Sequence, residues 1–308
     1  MGEMIRTEGL TKVYDGRTIL DHVSLSVNRG EIYGFLGLNG AGKTTTIRTL
    51  LGMIKPTSGE VYLLGKKLTK GGNLWNHVGY MVEVPYAYSG FTVRENLKLY
   101  AKMRGIKDRY AVDSVIEKVN LGTYAETKAK NLSLGNAQKL GLAKALIHNP
   151  EILILDEPTN ALDPAGIVGI RELLKSLSSE GVTIFISSHI LEEMSKLASR
   201  IGIIHRGVLL QEISALEFEN LRRKRLYVGV RGAAELARER LTNEGYEVSL
   251  SGDGILELSD HEAVQYPERV SRLLADADIP LYLLRVEEEE LESYFLNMVG
   301  SNPSKELK

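Results

Sequence analysis

The sequence predicts an α/β protein: a mostly parallel sheet built around a phosphate-binding loop, then a smaller α+β module of ferredoxin-like order. Three observations carry this. The stretch GLNGAGKTT, Gly37 to Thr45, lies between an apolar run, EIYGFLG, and a segment of helical spacing, TIRTLLGM. The run ILIL, Ile152 to Leu155, is continuously apolar at strand length, as in a strand buried on both faces of a parallel sheet. Strand-like and helix-like segments alternate to about residue 211, and the pattern restarts near residue 225 as two β-α-β halves.

Taken in order, MIRTEGLTKVY and HVSLSVNRG open the chain as strands. In the second, Val23, Leu25 and Val27 alternate with Ser24 and Ser26, and Asp15–Arg17 supplies the turn of an antiparallel hairpin. A helix is expected from about Thr45 to Gly52, then a strand at VYLLG and another at Val78–Val82 ending at Glu83. FTVRENLKLYAKMRG and RYAVDSVIEKVNL have helical spacing, with Leu97, Leu99, Tyr100 and Met103 apolar in the first. They form a helical insert. In NLSLGNAQKLGLAKALIHNP, Asn131 or Ser133 is suited to cap the next helix and Pro150 to end it. After ILIL come a helix from Ala165 to about Ser179, the strand TIFIS, the helix ILEEMSKLAS and the strands IGII and VLLQ. The expected division is therefore 1–215 with a helical subdomain at about 86–150, a linker at 216–224, and 225–308. In the last part LYVGV, YEVSLS, GILELS and LYLLRV read as strands, and AAELARERLTNEG, YPERVSRLLADAD and EEELESYFLNMVG as helices. Leu291, Tyr294, Phe295 and Met298 share one face of the final helix. The run Glu287–Glu290 suits its N-terminal dipole, and Arg222–Arg225 reads as a solvated linker.

The totals narrow the function. The 308 residues are 43% hydrophobic and 25% charged, as in ordinary globular proteins. Lys and Arg number 38 against 40 Asp and Glu, a net charge of -2 that gives no global drive toward nucleic acid. The absence of cysteine excludes disulfides, thiolate metal sites and cysteine nucleophiles. The start, MGEMIRTEGL, lacks the apolar core and cleavage pattern of a signal peptide. No apolar run approaches the ~18–20 residues needed to cross a bilayer, so service to a membrane is expected to run through a partner.

The loop fits G-x-x-x-x-G-K-[ST] with Gly37, Gly42, Lys43 and Thr44 at the fixed places. Such a loop turns tightly, so that the backbone N–H groups of Asn39, Gly40, Ala41, Gly42 and Thr45 point at phosphate oxygens, with a helix N-terminus behind them. Lys43 is placed for the β- and γ-phosphates of ATP and the Thr44 hydroxyl for Mg²⁺. Downstream, ILILDE delivers Asp156 to the carboxyl edge of the sheet, where it can support Mg²⁺ through water. Glu157 then lies beside the γ-phosphate, suited to orient or deprotonate a water. Taken alone, an acidic pair after a strand is a surface turn, Ser133 an ordinary cap, His189 a structural histidine and Tyr14 a hairpin aromatic.

In company these stretches mean more. GLNGAGKTT, LSLGNAQ, ILILDEPTNALDP and Ser188-His189 resemble the ATP-binding subunit of an ABC transporter, in the same order and spacing over about residues 4–211. The resemblance implies that Ser133 and Gly135 bind the γ-phosphate of nucleotide held by the opposite subunit. It implies likewise that Asp163 lies in the loop crossing the dimer interface, that His189 contacts the γ-phosphate and that Tyr14 stacks on adenine. Leu134 and Asn136 depart from the family's second glycine and glutamine. At Glu83 the family normally has Gln, a ligand of Mg²⁺ that heads the segment facing the membrane subunit. Glutamate is also an oxygen ligand, and its charge bears on metal affinity. Glu83, the LSLG form and the C-terminal extension resemble the bacitracin-resistance and lantibiotic-immunity branch.

The implied function is the ATP-hydrolysing subunit of an exporter. It would pair head to tail with a second ATP-binding subunit, identical or related, on the cytoplasmic face of the membrane beneath a separate permease. Catalysis would rest on Glu157, His189 and Lys43, and the metal on Thr44, Glu83 and Asp156. Two other readings remain: a soluble ABC ATPase acting on ribosomes or DNA, and an ATP sensor that does not hydrolyse. The first usually carries two cassettes or a long coiled coil, and Glu157 with His189 speaks against the second.

Overall fold

Two lengths of chain with very different burial patterns, 12-residue strands wet on one side and five-residue strands wet on neither, set the architecture. The computed structural model describes residues 2–69, 73–83, 86–220, 224–252 and 254–288. The chain divides into two units, Met1–Leu216 and Glu217–Lys308.

In the first unit, β1 (Glu3–Tyr14) and β2 (Arg17–Asn28) form the expected hairpin, joined after β3 (Ile32–Leu36) and α1 (Lys43–Leu50) by β4 (Ser58–Leu63) and β5 (Lys66–Lys67). These strands make an antiparallel sheet in the order β2-β1-β4-β5. Next come β6 (Val78–Met81), α2 (Val93–Met103), α3 (Ala111–Lys118), α4 (Leu134–Leu146) and β7 (Ile152–Asp156). The unit closes with α5 (Pro164–Ser179), β8 (Thr183–Ser188), α6 (Leu191–Leu197), β9 (Arg200–His205) and β10 (Val208–Ser214), and α7 (Ala215–Asn220) runs across its end into the second unit. The second sheet runs β10-β9-β3-β8-β7-β6, parallel throughout except for β10 on β9. Every residue of β3, β7 and β8 is buried, which is why these strands read as unbroken apolar runs. In that layer Phe185 stacks on Tyr33 at a ring separation of 5.5 Å and packs tilted against Phe35 at 5.3 Å. Burying each such side chain contributes about 1.5–3 kcal/mol.

The helical insert is fixed at its start by a capping box. Thr92 Oγ1 accepts from the Glu95 amide at 3.1 Å, and Glu95 Oε2 accepts from the Thr92 amide at 2.8 Å. Beside it the buried Asn96 side chain bonds the backbone of Tyr88, Phe91 and Thr92. Met103 does not share the buried face of α2: Leu97 is fully buried, Met103 is 72% exposed, and Ala101 takes the inward place. Six residues turn 240° around a helix, whereas four bring a side chain back to the same face. Helix α4 ends at Leu146, ahead of Pro150, and α5 begins at Pro164, a residue tolerated in a first turn.

The second unit contains β11 (Lys224–Val230), α8 (Ala234–Asn243), β12 (Val248–Leu250), β13 (Ile255–Leu258), α9 (His261–Gln265), α10 (Pro267–Ala275) and β14 (Leu281–Glu288). Its sheet order, β12-β13-β11-β14 and wholly antiparallel, is the ferredoxin-like arrangement. The core is aliphatic: Leu226, Val228, Leu256 and Leu258 from the sheet meet Leu241, Val270 and Leu274 from the helices.

Three expectations need correction. The stretch taken as linker includes α7, because ALEFEN consists mostly of good helix formers. Lys224 and Arg225 belong to a strand, and Arg225 pairs with Glu257 at 2.8 Å. Glu287 and Glu288 extend β14 rather than start a helix, in backbone register with Arg225 and Lys224 of β11. The predicted helix beyond them, and residues 221–223, lie outside the described residues.

Candidate functional site

Residue Gly42 caps α1 with φ 109°, a left-handed value. A Cβ there would stand 2.8 Å from Leu20 Cδ2 and 3.1 Å from the Ile19 carbonyl, so only glycine lets the loop press against β2. No side chain caps the helix, so its first-turn amides face the loop, the arrangement that receives anions. The start of the loop is tied to β8: the Gly37 amide donates to the Ser188 carbonyl at 3.2 Å, next to His189.

Lys43 is buried at 6% exposure. Its ammonium donates to the Gly37 carbonyl at 2.7 Å and the Leu38 carbonyl at 3.3 Å, and lies 3.2 Å from Glu157 Oε1. The other carboxylate oxygen of Glu157 is 2.8 Å from His189 Nδ1. Glu157 leaves β7 with φ 49°, a conformation that turns its side chain off the strand toward the loop and His189. Its amide donates to Ser187 Oγ at 3.1 Å, and that hydroxyl donates to Asp156 Oδ1 at 2.6 Å. Asp156 is thus a buried carboxylate with one partner placed.

A second cluster surrounds the start of α4. Ser133 caps it, its Oγ accepting from the Asn136 amide at 3.3 Å. A Cβ on Gly135 would meet the Ala161 carbonyl at 3.1 Å and Leu162 Cδ2 at 3.2 Å, so the helix start is seated on the loop that ends at Asp163. Asp163 caps α5 through the Gly166 amide at 2.9 Å. Leu134, where the family has glycine, is 58% exposed. The link between the clusters is Gln138, whose Nε2 donates to the Glu157 carbonyl at 3.2 Å. Sequence reasoning missed its role, although Gln138 follows Gly135 at i+3 on one helix face, inside the stretch already singled out.

Tyr14 and Glu83 join neither cluster by a hydrogen bond or ion pair among the described residues. Tyr14 ends β1, 42% exposed, with the Lys12 ammonium 4.4 Å from its ring centroid. Glu83 has φ 56° and an exposed carboxylate held by Arg48 Nη2 at 2.5 Å. The donor set fits the expected ligands. The glycine-built cradle and Lys43 suit a polyphosphate, and the oxygens of Thr44, Asp156 and Glu83 suit a hard cation. Among the described residues no group of three or more acidic or histidine side chains is close enough to hold a metal by itself.

The sequence profile of the ABC transporter family matches residues 20–160. The chain is 43% identical to the bacitracin transport ATP-binding protein BcrA of Bacillus licheniformis, over 97% of this chain and 98% of the relative. It is 39% identical to the lantibiotic transport ATP-binding protein SrtF of Streptococcus pyogenes, over 71% of this chain and 94% of the relative. Among solved structures it resembles a dimeric post-hydrolysis ATP-binding cassette bound to ADP and Pi. There the TM-score is 0.64 and identity 26%, over 69% of this chain and 99% of that one.

Proposed function

Because the chain belongs to the ABC transporter family as an ATP-hydrolysing subunit, we propose that it works as half of a head-to-tail pair that drives an exporter. The observation that carries the hydrolytic part of this reading is the Glu157 carboxylate, held between Lys43 at 3.2 Å and His189 at 2.8 Å at the mouth of the loop. The loop amides and Lys43 bind the phosphates of ATP. Glu157 orients the attacking water or takes its proton, and His189 fixes the carboxylate in place. Bound Mg²⁺ would neutralise phosphate charge, with Thr44, Asp156 and Glu83 as its protein oxygens. Ser133 and the first amides of α4 complete the site of the opposite subunit. Exposed Leu134 at that helix start supports a face that is covered when the pair closes.

Movement would pass to a separate permease through the segment that begins at Glu83. Just beyond it Tyr86, Tyr88 and Phe91 cluster at ring separations of 5.6 Å, each more than 40% exposed, as befits an interaction surface. Among the described residues no helix is long and apolar enough to cross a membrane, and the reading places the chain at the cytoplasmic face, held by the permease. BcrA and SrtF point to a peptide antibiotic as cargo.

Concentration dependence tests the shared site. Phosphate release per chain should rise with protein concentration and fall to background in Ser133→Arg, while Ser133→Thr, which keeps a capping hydroxyl, stays active. A per-chain rate that is constant over a hundred-fold dilution, with Ser133→Arg fully active, would refute the shared site.

A further inference from the structure

Helix α1 is a rigid rod with a cation near each end. Lys43, its first residue, faces the phosphate loop, and Arg48, five residues on, reaches Glu83. That is about 7.5 Å of helix rise. The main chain of Arg48 is anchored, since its carbonyl accepts from the amides of Met53 at 2.9 Å and Ile54 at 3.2 Å. Its guanidinium is therefore presented from a fixed base. Glu83 is the opposite case. It follows β6, adopts a left-handed φ of 56° that a side chain disfavours, and is 58% exposed along its side chain. The 2.5 Å contact to Arg48 is a charge-assisted bond made from this conformation. A glutamine would not attract the guanidinium in that way, so the pair belongs to the glutamate.

We propose that Arg48 is the positioning residue for Glu83: it holds the carboxylate at the far end of α1 and competes with the bound metal for it. The inference rests on Glu83 being a metal ligand in the working site. Were the carboxylate to exchange Arg48 for a bound metal, the charge of Arg48 would be left free on the helix.

The test is a double-mutant cycle read by metal binding rather than turnover. In a Glu157→Gln background, expected to retain ATP, Mn²⁺ is titrated and bound metal is followed by electron paramagnetic resonance. Glu83→Ala should weaken Mn²⁺ binding. Arg48→Ala should tighten it about two- to five-fold, the scale of one exposed ion pair. Arg48→Lys, which keeps the cation, should lie nearer the unaltered chain. With Glu83→Ala already present, Arg48→Ala should add nothing. If Glu83→Ala weakens binding but Arg48→Ala has no effect, or the same effect with and without Glu83, the competition is refuted and the metal role of Glu83 stands. If Glu83→Ala leaves Mn²⁺ affinity unchanged, that metal role falls and the competition with it.

Discussion

Two glutamates leave neighbouring strands of one sheet in the same unusual way and meet opposite surroundings. Glu157 follows β7 with φ 49°, and Glu83 lies just past β6 with φ 56°. The Glu157 side chain is 18% exposed and has Lys43 and His189 on its carboxylate, with Gln138 on its carbonyl and Ser187 on its amide. The Glu83 side chain is 58% exposed and is held by Arg48. The same backbone feature therefore serves two ends. A carboxylate held by two partners on an anchored backbone is fixed for chemistry, and one gripped once at the surface can change partner. Burial and the number of bonds separate the two, because an exposed pair is worth only about 0–1 kcal/mol and a buried pair costs several to break.

Variants on the gripped side should do the most damage. Glu157→Gln should lower the rate of phosphate release on the order of 10²–10⁴-fold, the usual worth of a general base, with ATP still bound in a filter assay. His189→Ala removes one charged hydrogen bond from that carboxylate and should cost about 10–100-fold in kcat. Gln138→Leu removes a neutral bond to the Glu157 carbonyl and should cost about five-fold, seen in kcat more than in KM for ATP. If the last two variants exchanged their order, the carboxylate contacts would not be what fixes Glu157. On the loosely held side, Glu83→Gln should change turnover by only a few-fold and make it less sensitive to salt between 0.05 and 0.5 M, since exposed charge pairs are screened.

The smallest effect concerns the strand that leads to Glu83. His148 follows α4 and its Nε2 lies 3.1 Å from the carbonyl of Val78, the first residue of β6. Burial first, and then the charge of Arg104, lower its pKa to about 4. The folded protein therefore favours the neutral ring. That stability is complete above the ordinary histidine value near 6.5 and is lost as pH falls toward 4. Thermal unfolding should show a Tm that drops between pH 7 and 4.5, and drops less in His148→Gln.

Much of this was legible in the sequence, for reasons the structure makes concrete. ILIL read as a buried strand and IYGFL as an apolar run because all their residues are buried, and GLNGAGKTT read as a phosphate loop, where Gly42 has room for no other residue. The ferredoxin-like order followed from six segments with clean periods. What could not be read were contacts between distant stretches: Gln138 to Glu157, Ser187 to Asp156, Arg48 to Glu83. Periodicity reports which face a residue occupies, not which element packs against that face. The left-handed turns at Glu83 and Glu157 were hidden for a related reason. Glutamate carries no local preference for positive φ, so tertiary bonds impose it.

The central claim is that the loop of one chain and Ser133 of another enclose the same ATP. The most direct measurement is the mass in solution of the Glu157→Gln variant with ATP and Mg²⁺, by light scattering on a sizing column. We expect twice the 34.1 kDa chain mass with two ATP retained, reverting to one chain mass when Ser133→Arg is added. A Glu157→Gln chain that binds ATP fully and still elutes at 34.1 kDa at tens of micromolar would contradict the account.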